Sequence, residues 1–147
     1  MLKRGKIFIW GLALALSVAL LTPAVASVPE ASISAPGYGT LYGCVFDYGG
    51  HVTQVTQNPD NAVLTFRGVI KDNDTGSTLY TQPTQYSNRG ETMFSDWLDW
   101  YSLSLVNIKT IAIFGAHGVQ SGGTYKAAAV YTSVVVPVPP DKTNPTD

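Results

Sequence analysis

Hydrophobic and polar residues alternate with a period of two over much of residues 40–136, as in a chain that turns one face to a core and the other to solvent as strands. The clearest run is residues 62–70. There Leu64, Phe66 and Ile70 fall on one face and Thr65 and Arg67 on the other, with Gly68 small enough for a bulge or a close approach. Lys71-Asp72-Asn73-Asp74-Thr75-Gly76 follows, a run of turn formers, and residues 77–82 resume with β-branched and aromatic side chains, which predicts a hairpin. Residues 108–114 and 124–136 predict a second, the latter alternating Tyr125, Ala127, Ala129 and Tyr131 against Lys126, Ala128, Val130 and Thr132. Between them Gly115, Gly118, Gly122 and Gly123 can supply positive φ angles. A third pair, residues 40–46 and 51–56, is predicted across Asp47-Tyr48-Gly49-Gly50.

Residues 94–105 carry two periods at once. Phe94, Trp97, Leu98 and Tyr101 suit one face of a helix capped by Ser95, whereas Tyr101, Leu103 and Leu105 alternate with Ser102 and Ser104. The alternation favours a strand, or one helical turn leading into a strand. No long amphipathic helix, no βαβ alternation and no internal repeat is visible. The expected fold is therefore all-β, an antiparallel two-layer β-sandwich or small barrel of about seven strands.

Both flanks of this region look different. Residues 27–39 mix Ser, Ala, Pro and Gly with little apolar content, the composition of a flexible tether. Residues 137–147 hold four prolines and two Asp, which predicts a disordered tail. Residues 1–26 have the three parts of a secretory signal peptide: the cations Lys3, Arg4 and Lys6, an uncharged run over 7–21, and Ala24-Val25-Ala26 before Ser27. The run is shorter than the roughly 20 residues that span a bilayer, and Pro23 interrupts it. Cleavage before Ser27, a secreted product and no stable membrane anchor afterwards are expected.

Removing the leader changes the charge balance. It holds three of the nine Lys and Arg and none of the ten Asp and Glu, so the remainder carries six cations against ten anions, a net −4. Such a sparsely charged, mildly acidic body lacks the clustered cations that nucleic acid requires. Cys44 is the only cysteine, so no intramolecular disulfide can form, and packing must hold the domain together. Its expected place is inside the apolar run 41–46.

Candidate chemistry is sparse. The sharpest cluster is Trp97, Trp100 and Tyr101 flanked by Asp96 and Asp99: indole faces stack on the C–H surface of a sugar while carboxylates accept its hydroxyl hydrogens. The bland alternative puts the rings in the core and the acids in solvent. Of the two tryptophans, Trp100 is the one expected to be exposed. Asp96 and Asp99 would act as a glycosidase pair only on a helix, since their spacing puts them on opposite faces of a strand. Asp72, Asn73 and Asp74 offer oxygens for Ca²⁺, but no bidentate Glu follows at EF-hand spacing, and a hairpin turn explains them equally well. His51 and His117 lie near glycine-rich turns without a partner at zinc-ligand spacing. Cys44, Asp47 and His51 are close in sequence without an identifiable oxyanion hole. No catalytic residue, metal or cofactor is expected. The reading is a recognition protein for a carbohydrate or a cell-surface polymer, with a small secreted hydrolase as first alternative and an exported toxin or bacteriocin-like protein as second.

Overall fold

The computed structural model describes residues 27–121 and 125–143; the expected leader, residues 1–26, and residues 144–147 of the expected tail lie outside the described residues. The strands are β1 (Glu30–Ala35), β2 (Gly39–Val45), β3 (Gly50–Val55), β4 (Val63–Asp72), β5 (Thr78–Thr81), β6 (Gln85–Tyr86), β7 (Met93–Trp97), β8 (Thr110–Ser121) and β9 (Tyr125–Pro137). One helical turn follows, α1 (Pro140–Thr143). Two antiparallel sheets form, one ordered β1-β2-β3-β7 and one β5-β4-β8-β9, with β6 also pairing β4. They face each other in a sandwich-like all-β arrangement. The chain crosses between sheets after β3 and again on both sides of β7, which lays β7 against β3 and β8 against β4.

All three expected hairpins are present: β2 with β3, β4 with β5, and β8 with β9. Three expectations need correction. Residues 27–39 are not a tether, because β1 pairs with β2 from Glu30↔Cys44 to Ala35↔Gly39. Backbone hydrogen bonds hold this strand, and small Ala35 fills its inward position, 1% exposed. Residues 137–143 belong to the fold rather than to a loose tail, since β9 runs through Pro137 and Val138 is buried. Residues 94–105 form neither a helix nor one continuous strand. β7 stops at Trp97, and tight turns close by Trp100 N–H to Leu98 C=O and Leu103 N–H to Trp100 C=O.

A further stitch joins the sheets at one edge. Val28 exchanges two backbone hydrogen bonds of 2.8 Å with Ser133 of β9, just before the chain enters β1.

Inward residues form two apolar clusters. Val45, Ile70, Leu98, Trp100, Ile111 and Ile113 belong to one, and Tyr38, Leu41, Val55, Leu64, Val119 and Val130 to the other. Between them lies a polar waist of His51, Thr53, His117 and Thr132, all buried, with Phe66 among them. Both histidines are in strands and face the core instead of sitting at turns. Gly115 and Gly118, expected in a turn, lie inside β8. A Cβ at Gly43 would come within 2.5 Å of the His117 ring, and one at Gly115 within 2.8 Å of its Nε2, so both glycines make room for that imidazole.

Candidate functional site

The turn between β2 and β3 builds an aromatic shelf on the outer face of the smaller sheet. Phe46 and Tyr48 stack with centroids 5.2 Å apart and planes within 5°, and Tyr48 meets Trp97 of β7 at 5.0 Å. Strand pairing explains the meeting, because Gly50 lies opposite Trp97 in register. Gly50 is needed here: a side chain at that position would collide with the Tyr48 ring, which lies over the bare backbone. Tyr48 is 46% exposed and Trp97 57%. Beside them runs a groove of about 330 Å³ whose lining includes Ser95 and Asp96.

The shelf is fixed from behind. Phe46 N–H donates to Gly50 C=O at 2.8 Å and Gly49 N–H to Phe46 C=O at 3.0 Å, closing the turn around Gly49 at φ 96°. Leu98 N–H reaches Gly49 C=O at 2.8 Å, and the Trp100 indole donates Nε1–H to Asp47 C=O at 3.0 Å. Two groups from the segment after β7 thus pin the turn that carries Tyr48.

The sequence cluster splits accordingly. Trp97 and Asp96 both border the groove, but as neighbours on β7 they send their side chains to opposite faces, Trp97 to the shelf and Asp96 to the side of His51, its partner in register. The Asp96 carboxylate accepts the Trp97 N–H at 2.8 Å through Oδ1, and Oδ2 has no protein partner among the described residues. Trp100, expected on the surface, is buried at 2% exposure because the chain turns inward once β7 ends. Tyr101 is exposed and packs on Trp100 at 4.2 Å, with the Lys142 ammonium 5.7 Å from its centroid. Asp99 accepts the Ser102 N–H at 3.3 Å within its own turn. Phe46 and Tyr48 are the members that sequence reasoning missed; two aromatics flanking Asp47, next to Gly49-Gly50, were the available signal.

The other candidates do not assemble. Cys44 lies opposite Val52, while His51, the next residue on β3, lies opposite Val45. The thiol and the imidazole therefore sit on opposite faces of one sheet. Burial pushes the Cys44 thiol pKa up, with Glu30 adding to the rise against a lowering by the Tyr42 hydroxyl. Asp72 spends its carboxylate on the Asp74 N–H and the Thr75 hydroxyl of its turn. Among the described residues no group of three or more His, Cys, Asp or Glu is placed to hold a metal ion.

The histidine waist is the other unusual chemistry. His117 Nδ1 lies 2.9 Å from Thr53 Oγ1, and Nε2 lies 2.8 Å from Thr132 Oγ1. Thr53 also gives its hydroxyl proton to Thr65 C=O at 3.3 Å. The network therefore assigns the imidazole proton to Nδ1, leaving Nε2 to accept from Thr132. His51 stacks on Phe66 at 3.4 Å, and neither of its ring nitrogens has a hydrogen-bond partner among the described residues. Burial lowers the His51 pKa to about 4. Burial, and then the His51 ring, lower that of His117 to about 3. Both are neutral near pH 7. No protein-family profile, curated protein or solved structure matches the chain.

Proposed function

We propose that this protein is exported and uses a two-layer sandwich as a rigid mount for carbohydrate recognition, with the Phe46–Tyr48–Trp97 shelf as its contact surface. The observation that carries this reading is the run of three aromatic rings on one sheet face, Phe46 stacked on Tyr48 and Tyr48 meeting the exposed Trp97, beside a groove that Ser95 lines. Ring faces take up the C–H side of a pyranose, and Ser95, on the same face of β7 as Trp97, offers a hydrogen-bond partner to its hydroxyls. The shelf is held in place before any ligand arrives, which limits the ordering cost of binding.

The test is tryptophan fluorescence titrated with a panel of soluble glycans and cell-wall polymers. Past the leader, Trp97 and Trp100 are the only indoles, and only Trp97 is exposed. Saturable quenching or a blue shift that disappears in Trp97→Ala supports the reading. A flat signal over the whole panel, together with no retention on insoluble polymer, refutes it.

A further inference from the structure

We propose that the outer face of the larger sheet holds a second binding site, for a carboxylate carried on a six-membered ring. Arg67, Ala116 and Tyr131 form one cross-strand row of this face, since Arg67 pairs with Ala116 and Ala116 with Tyr131. Val69 and Phe114 lie in the next row. Together they line a groove of about 380 Å³, within the about 300–1,000 Å³ range of small-ligand sites. Its floor is low because Ala116 carries only a methyl group, and Tyr131 rises beside it, 68% exposed.

Charge selects the occupant. Beyond the leader the chain carries a net −4, yet Arg67 and Lys71 lie on the same face of β4, about 13 Å apart along the strand on either side of Val69. Lys71 holds its ammonium 5.6 Å from the Phe114 ring centroid, at the side of the groove. Arg67 is exposed and makes no hydrogen bond or ion pair with another described residue. None of the outward positions with described side chains on β4, β5, β6, β8 and β9 is Asp or Glu. The local field therefore draws anions, and a planar guanidinium engages a carboxylate through two parallel N–H donors. A ring attached to that carboxylate would lie over Ala116 and meet Tyr131 on one side and Phe114 with Val69 on the other. Aromatic acids and uronic acids share this chemistry.

The probes are benzoate, glucuronate, inorganic phosphate and benzyl alcohol, each titrated into the full domain past the leader and followed by the amide NMR shifts of Ala116 and Tyr131. Saturable shifts with benzoate or with glucuronate are expected, and whichever binds identifies the ring as aromatic or sugar. Arg67→Gln should weaken that binding about tenfold or more, the scale of losing a charged hydrogen-bond partner. Ala116→Leu should block it by filling the floor, and rising salt should weaken it. Trp97→Ala should leave it intact, so this site stands or falls independently of the glycan shelf. Arg67 is exposed, and an unchanged thermal midpoint in Arg67→Gln verifies that the fold is retained. The proposal is overturned if neither acid shifts these amides, if phosphate or benzyl alcohol binds as well as the acids, or if Arg67→Gln binds like the parent.

Discussion

Acidification should destabilise this domain well before its carboxylates titrate, because two imidazoles are buried neutral in its waist. An unfolded histidine takes a proton near pH 6.5, whereas in the fold His51 does so only at about 4 and His117 at about 3. Between those values the unfolded chain binds more protons than the folded one, so stability falls as pH falls. It is full above about pH 6.5, declines through the window down to the folded values, and levels off below about pH 3 as far as these two groups are concerned. At about 1.4 kcal/mol per pH unit and histidine, the pair costs about 6 kcal/mol by pH 4, comparable with the whole stability of an ordinary domain at about 5–15 kcal/mol. The groups facing the pair do not offset this. Phe66, Thr53 and Thr132 are uncharged, and Asp96, opposite His51 in register, is exposed. Urea unfolding followed by circular dichroism at half-unit steps between about pH 7.5 and 4 measures the slope, which should approach two protons. His51→Leu removes one imidazole that has no hydrogen bond to lose, and the slope should fall to about one proton. A midpoint that stays constant down to about pH 4.5, or a His51→Leu slope equal to that of the parent, would refute the reasoning.

Three other perturbations test the remaining parts of the structure. Gly43→Ala drives a methyl group to 2.5 Å from the His117 ring and should destabilise the fold by about 1–3 kcal/mol, read from urea midpoints; no loss would mean the waist is loosely packed. Trp100→Phe removes the Nε1–H bond to Asp47 C=O; it should cost about 1–2 kcal/mol and weaken glycan binding through a looser turn, although Trp100 does not line the groove. Cys44 is 3% exposed with its pKa raised by burial, so iodoacetamide near neutral pH should label the native protein far more slowly than the urea-unfolded chain; equal rates would show an open thiol.

Period-two alternation revealed the hairpins because their inward positions are large and apolar, as with Leu64, Phe66 and Ile70. β1 escaped the same test, since composition rules look for bulk and its inward positions include Ala31 and Ala35. What holds it is backbone pairing with β2, which leaves no trace in side-chain hydrophobicity. Gly115 misled for a related reason. A glycine in sequence reads as a turn, yet here it clears space for an imidazole two residues along the same face of β8. At the site, Trp97 and Asp96 were legible as neighbours in sequence. Their partners Phe46 and Tyr48 were not, because the contact depends on β3 lying next to β7, and pairing order is a property of the whole chain. Trp100 changed sides because alternation holds only while a strand lasts, and β7 ends three residues earlier.

The hydrogen-bonded bridge from Val28 to Ser133 spans 105 positions of the chain and ties the entry to β1 onto β9. A polypeptide that emerges amino end first cannot make this seam until nearly all of it has been delivered. Until then the β1 margin has no β9 to bond with. Closure is thus a late, entropy-limited event, because its two sides are separated by nearly the whole domain.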